Sequence, residues 1–317
     1  LAQTPDGYLW VGTYNGLARF DGLTFKTFDP DNTPALAHAR IRLLAVDRRG
    51  TLWISTFDGS LTTFRDGQFA REWTCKVRDD RDNALVASGP GHVVFVLDQG
   101  EFYAKLLDRA PGEGWEQLAL PNRTLLTQPF GEGGCLAWYK GPAKRLWHLE
   151  DRQFLPVVEA TGLPGQRIMH ARGDAQGRIW VGTDQGIARL EGTNVIDLTP
   201  TNGEPTLQVR LFHIGEDGGL WVEANGRVRK AMGCQWVIDG GSMGDVFNPS
   251  ASRSVMLDDH QGGIWLRDYG RGVAHFSADG GVWKFSARGG FNTDRATSLI
   301  EDREGNIWAG FEMGGLA

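Results

Sequence analysis

"DGYLWVGTYNGLARFDG", running from Asp6 to Gly22, decides how this chain is read, because its phrase returns near the other end as "DREGNIWAGFEMGGLA", Asp302 to Ala317. Between them it recurs as "DRRGTLWIST" (Asp47 to Thr56), "DAQGRIWVGT" (Asp174 to Thr183), "DGGLWVEA" (Asp217 to Ala224) and "DHQGGIWLRD" (Asp259 to Asp268). The tryptophans Trp10, Trp53, Trp180, Trp221, Trp265 and Trp308 are spaced by 43, 127, 41, 44 and 43 residues. The long step is three periods, so two degenerate units lie inside it. They begin at Gly91, "GHVVFVLDQGEFYAKL", and at Gly133, "GGCLAWYKGPAKRLWHL". A phrase that returns at a fixed period is a building unit before it is a site.

Each unit reads as four strands. In the second, "RIRLLAV", "TLWIST", "SLTTFRD" and "GQFAREW" follow one another with turn residues between them. The pairs Asp21-Gly22, Asp66-Gly67 and Asp279-Gly280 suit tight turns between third and fourth strands, since glycine tolerates positive φ. The stretches Gly12 to Gly16 and Gly182 to Gly186 suit the turn between second and third strands. The Asp of each D-x-x-G serves its own turn, accepting nearby backbone N–H groups. One such sheet cannot bury both faces alone, whereas stacking sheets radially buries each against its neighbour. The expected fold is therefore all-β: a seven-bladed β-propeller of four-stranded antiparallel blades spanning residues 1–317. An eight-bladed ring is the alternative. Residues 297–317 repeat the start of blade one, either closing this ring or beginning a second propeller. The repeated tryptophans fill the space between blades.

Composition narrows the function. The 317 residues carry a net charge of −6 with no Lys/Arg-rich run, which argues against a nucleic-acid partner. No apolar run is long enough to span a membrane. Three cysteines, Cys75, Cys135 and Cys234, form neither a disulfide framework nor a C-x-x-C zinc pattern. No nucleophile-elbow, zincin or P-loop motif is present, and neither a cofactor nor a metal is expected.

The pattern D-x-x-G-x-[LI]-W-[VI]-G-T-x-x-G-[LI]-x-R-[FL] resembles the two-component regulator propeller repeat. The match is clearest at Pro5–Asp29, Asp47–Gly67, Asp174–Gly192 and Asp302–Leu316. It fades at Ser88–Leu107 and Gly131–Pro156, where Asp and Trp are lost. The resemblance implies a non-enzymatic, ligand-sensing periplasmic part of a bacterial membrane receptor, of the histidine-kinase or hybrid-kinase type. It further implies a small-molecule or oligosaccharide ligand, further domains in the same receptor and a homodimeric full-length protein. A propeller lyase of the streptogramin-inactivating kind, which would need a His/Glu-rich metal site, and a protein-interaction scaffold are the other readings.

Several residues stand out as candidate binding groups. An arginine recurs just before or at the start of each first strand: Arg40, Arg81, Arg123, Arg167, Arg210, Arg253 and Arg295, at steps of 41, 42, 44, 43, 43 and 42. On a propeller these would ring one mouth of the channel. The ring either latches onto neighbouring carboxylates or holds an anionic ligand through the planar guanidinium fork. His170 and His213 each follow such an arginine by three residues. They either face each other near the axis, where they could hold a metal, or are ordinary inward strand residues. In the degenerate units, "YKGPAKR" (Tyr139–Arg145) looks like an insertion, and Trp138 or Trp147, if exposed, would suit stacking on a sugar.

Overall fold

The computed structural model describes residues 1–47, 49–74, 85–87, 93–98, 101–106, 116–118, 124–130, 134–139, 144–150, 153–157, 162–192, 194–242, 255–268, 272–286, 295–312 and 315–317. Two compact units divide the chain: Leu1–Trp138 with Trp147–Val157, and Tyr139–Leu146 with Val158–Ala317.

The first unit holds four four-stranded sheets, apart from the boundary residues Tyr139 and Leu146. They are β1 (Ala2–Gln3), β2 (Leu9–Gly12), β3 (Leu17–Phe20) and β4 (Phe25–Phe28); β5 (Ile41–Val46), β6 (Leu52–Thr56), β7 (Leu61–Arg65) and β8 (Gln68–Trp73); β9 (Leu85–Ala87), β10 (Val93–Asp98), β11 (Glu101–Leu106) and β12 (Glu116–Leu118); and β13 (Thr124–Phe130), β14 (Gly134–Tyr139), β15 (Leu146–Glu150) and β16 (Gln153–Pro156). The second unit holds β17 (Ile168–Gly173), β18 (Ile179–Thr183), β19 (Ile187–Glu191) and β20 (Asn194–Asp197); β21 (Val209–Ile214), β22 (Leu220–Ala224), β23 (Arg227–Met232) and β24 (Gln235–Ser242); β25 (Val255–Asp258), β26 (Ile264–Asp268), β27 (Gly272–Phe276) and β28 (Val282–Phe285); and a two-stranded sheet, β29 (Ala296–Glu301) with β30 (Ile307–Phe311). Every sheet is a sequential antiparallel meander.

The repeat builds each sheet through interactions only a few residues apart. Asp174 accepts the backbone N–H groups of Gln176 and Arg178 and the indole N–H of Trp180, at 3.0, 2.9 and 2.8 Å. Asp47 does the same for Arg49, Thr51 and Trp53, and Asp302 for Glu304, Asn306 and Trp308. One carboxylate thus closes the turn between first and second strands and aims the tryptophan. The turn needs a left-handed residue, and Gly177 supplies it at φ +77°. Asp21-Gly22, Asp66-Gly67 and Asp279-Gly280 lie between third and fourth strands, as the sequence predicts.

Consecutive sheets pack through the first strands: within the second unit β21 lies against β17 and β18, and β29 against β25 and β26. The tryptophan is the filler. Trp180 and Ile187 pack on Val209, Phe212, Leu220 and Val222 of the next sheet. Trp221 and Val228 pack on Met256, Ile264, Leu266 and Phe276. In the first unit Trp10, Leu17 and Phe28 meet Ile41, Leu52, Ile54 and Phe64. Such close stacking explains the glycine after W-V. A Cβ on Gly182 would lie 2.5 Å from Val209 Cγ1, and one on Gly12 would lie 2.6 Å from Ile41 Cγ2. A third-strand cation often covers the tryptophan's other side. Arg189 lies over Trp180 and Lys230 over Trp221, while at Trp265 the third-strand His275 ring stacks instead.

Candidate functional site

The first strands carry the polar groups that the packing leaves over, and these collect at the two ends of those strands. At the starting end, one backbone bond recurs. The carbonyl of Arg40 accepts the N–H of Phe57, that of Arg167 the N–H of Asp184, and that of Arg295 the N–H of Glu312. These three arginines stand thirteen residues before Trp53, Trp180 and Trp308, so they share one place in the repeat. Their side chains meet different fates. Arg295 Nη1 pairs with Glu312 Oε2 at 3.1 Å. Arg167 is exposed, and Asp184 is engaged by the backbone N–H groups of Gln166 and Arg167. The Arg40 guanidinium lies over the rings of Tyr14 and Phe57, 4.2 and 4.1 Å from their centroids.

Arg210 lies at the start of β21 but does not share that place. It stands two residues later in the repeat, within the register shift between Val209 and Leu211, where the equivalent shift in β5 lies between Ile41 and Leu43. Gln208 holds the place of Arg40. Arg210 instead approaches Glu223 of β22, Nη1 to Oε1 3.6 Å. Arg81, Arg123 and Arg253 lie outside the described residues.

The same two-residue offset separates the histidines. His170 sits opposite Gly182 on the neighbouring strand, and His213 sits opposite Trp221. They are therefore not equivalent. His170 packs edge-on against Phe212 at 4.7 Å, and burial, then the charge of Arg172, pushes its pKa down to about 4. His213 instead meets Arg172, the residue at its own place in β17. Arg172 Nη1 and His213 Nδ1 are 2.8 Å apart. Arginine can only donate, so Nδ1 holds the lone pair and Nε2 holds the proton. Nε2 lies 3.4 Å from Asp258 Oδ2, close enough for electrostatic contact but without a hydrogen bond. Burial first, then Arg172 and His260, push the His213 pKa down to about 3, which keeps the ring neutral.

This run continues across two further sheets at the finishing end of the first strands. The His260 backbone N–H donates to Asp258 Oδ1 at 2.7 Å. The His260 ring bridges Glu216, in the turn before β22, and Glu301, at the end of β29, at 3.0 and 2.9 Å. Those carboxylates raise its pKa, the Glu216 hydrogen bond most. Burial raises that of Asp258. Arg172, His213, Asp258, His260 and Glu301 thus form one polar run over four consecutive first strands and their turns. Among the described residues, no group of three or more His, Cys, Asp or Glu side chains is placed to hold a metal ion.

Two further charges sit where the repeat has glycine. Glu223 and Arg267 occupy the place of Gly12 and Gly182, and both are buried. Arg267 Nη1 donates to the carbonyl of Ala296 on the next first strand at 3.2 Å. The signal for them is in the sequence, as W-V-E and W-L-R in place of W-V-G. Trp138 is only 3% exposed, which removes it as a sugar platform: it is part of the packed core. Trp147 is half-buried on β15. Of the stretch Tyr139–Arg145, residues 140–143 lie outside the described residues.

Residues 162–185 match the family model described as "Two component regulator propeller". No curated protein sequence matches the chain. Among solved structures, the computationally designed Ika8 protein is 13% identical, covering 100% of this chain and 93% of its own, with a TM-score of 0.64. Virginiamycin B lyase from Staphylococcus aureus, solved as a catalytically inactive variant with quinupristin, is 12% identical over 86% of this chain and 92% of its own, with a TM-score of 0.60. The extracellular domain of the putative hybrid two component system BT3049 from B. thetaiotaomicron is 15% identical, with a TM-score of 0.44. There this chain is covered over 98% of its length but spans only 54% of the other. At such identities the first two likenesses speak for the fold alone, an all-β propeller of four-stranded antiparallel blades. No helix among the described residues is long and apolar enough to cross a membrane. The two component regulator propeller model matched at residues 162–185 covers the turn into β17 and the β17–β18 hairpin.

Proposed function

We propose that this chain is a ligand-sensing propeller of a bacterial receptor of the two-component type, held outside the cytoplasm, with seven blades closing into a ring. The observation that carries this reading is the two component regulator propeller repeat at residues 162–185. The polar first strands fit it. Where a ring filled only for stability would carry apolar side chains, these carry the part-exposed Arg172 and Arg210, which suit a polar solute. In this reading the segment binds and does not catalyse. A soluble ligand, with polysaccharide fragments the first class to try, stabilises one setting of the blades, and further domains of the homodimeric receptor read that setting.

The test has two stages. The purified chain is heated with neutral and acidic oligosaccharide fragments, and a binder at a hundred times its Kd adds about 2.7 kcal/mol to stability. The compound that raises the melting temperature is then applied to cells carrying the full-length receptor. A change in receptor output supports sensing. Stabilisation without any change in output, or chemical conversion of the compound during incubation, overturns it.

A further inference from the structure

We infer that Tyr14, Arg40 and Phe57 form a binding clamp for an oxyanion group of a small ligand. Arg40, Arg167 and Arg295 share one place in the repeat. In each of these repeats the residue that donates its backbone N–H to the arginine carbonyl is the same one, seventeen positions on: Phe57, Asp184 or Glu312. Two of the three are acids. Glu312 neutralises Arg295 directly. In the β5–β8 sheet the acid is replaced by Phe57, and the arginine keeps its place while losing its counter-charge.

The replacement also changes what holds the side chain. Phe57 and Tyr14, the latter 51% exposed, both lie under the Arg40 guanidinium. Stacking uses the faces of the planar group and leaves its N–H edges for a ligand. Those edges match the two oxygens of a carboxylate, phosphate or sulfate. No carboxylate among the described residues pairs with them. The acid next to Phe57 in sequence, Asp58, is held in its own turn by Thr56 Oγ1, Ser60 Oγ and the Ser60 backbone N–H, at 2.6, 3.1 and 3.2 Å. His38 accepts the Arg40 backbone N–H on Nδ1 at 2.9 Å, which ties its ring to the arginine's backbone. Its ring centroid lies 6.3 Å from that of Phe57, so a third ring stands beside the clamp. The half-exposed Tyr14 ring offers a flat surface for a ring attached to the oxyanion.

This deepens the sensing role proposed above and rests on it. The experiment follows the Arg40 Nε–H resonance in isotope-labelled full chain titrated, at constant ionic strength, with acetate, inorganic phosphate and glucuronate, against glucose. The clamp predicts saturable shifts with oxyanions and none with glucose, and the tightest of the three probes identifies the group preferred. Phe57→Glu should install the pairing seen at Arg295–Glu312 and weaken binding by about tenfold or more, the size expected for losing charge-assisted hydrogen bonds. Should that variant not fold, Arg40→Gln is titrated instead, with the Tyr14 ring resonances as the readout. Shifts that grow linearly without saturating, or an affinity unchanged in either variant, overturn the clamp. A flat titration in a chain that oligosaccharides still stabilise would sink the clamp alone and leave the sensing role standing.

Discussion

Trp180 donates its indole N–H to Asp174, 2.8 Å away, and the same carboxylate receives two backbone N–H groups of the turn between them. Arg178 adds a salt bridge at 2.6 Å. The tryptophan that packs against the next sheet is therefore aimed by the residue that shapes the turn. Asp174→Ala should remove turn closure and aim together, costing about 2–3 kcal/mol, while Asp174→Asn, which keeps an acceptor, should lose less. Urea unfolding measures both. Equal losses in the two variants would mean that charge alone matters and that the aiming role is wrong.

Gly182 makes room for the next sheet. Its missing Cβ would sit 2.5 Å from Val209 Cγ1 and 3.2 Å from Phe212 Cδ1. Gly182→Ala should destabilise by about 1–3 kcal/mol through overpacking. Val209→Ala in the same chain should give part of that back. A double variant whose loss is simply the sum of the two single losses would show that the contact between sheets is not the cause.

Acid should weaken the fold before its carboxylates titrate. His170 and His213 are held at about 4 and about 3, well below the ordinary histidine value of 6.5. Below pH 6.5 the unfolded chain takes up two protons that the folded chain refuses, so stability falls as pH drops from there toward 4. Each histidine contributes a slope of at most about 1.4 kcal/mol per pH unit. Asp258, raised by burial, offsets part of this near the lower end. The turn aspartates Asp174 and Asp302 are lowered, so their contribution is present above the ordinary carboxylate range and is lost only as pH falls through their lower folded values. His260 runs the other way. Its pKa is raised, so its stabilisation is full below 6.5 and is lost as pH rises through the folded value. Urea midpoints at pH 7, 6 and 5 should drop steadily, and His170→Leu should flatten that slope by about one proton. An unaltered slope in the variant would put the effect elsewhere.

Much of this architecture is legible in the sequence because the interactions that build each sheet are short. Asp47 reaches Trp53, and Asp174 reaches Trp180, over six residues. The turn glycine and the Asp-Gly hairpins act over even fewer, so the repeat, the strand order and the role of the tryptophans follow from local patterns alone. The buried charges Glu223 and Arg267 could also have been found there, as breaks in W-V-G. Which residues of different repeats stand level is harder to read, because the arginine spacing and the tryptophan spacing disagree. The segments between fourth and first strands vary in length, and the first strands carry register shifts. Counting arginines therefore put Arg210 beside Arg40, and His213 beside His170, when each stands two places on. Counting back from the tryptophan separates them, thirteen residues for Arg40 and eleven for Arg210, and the strand pairing carries the same offset; what tertiary packing alone decided is which of these side chains meet. The same packing brought Arg172 to His213 across forty-one residues and left Arg40 on two aromatic rings instead of a carboxylate. Local chemistry repeats with the period and can be read from it; contacts between sheets depend on side chains far apart in the chain, and these form only when the sheets meet.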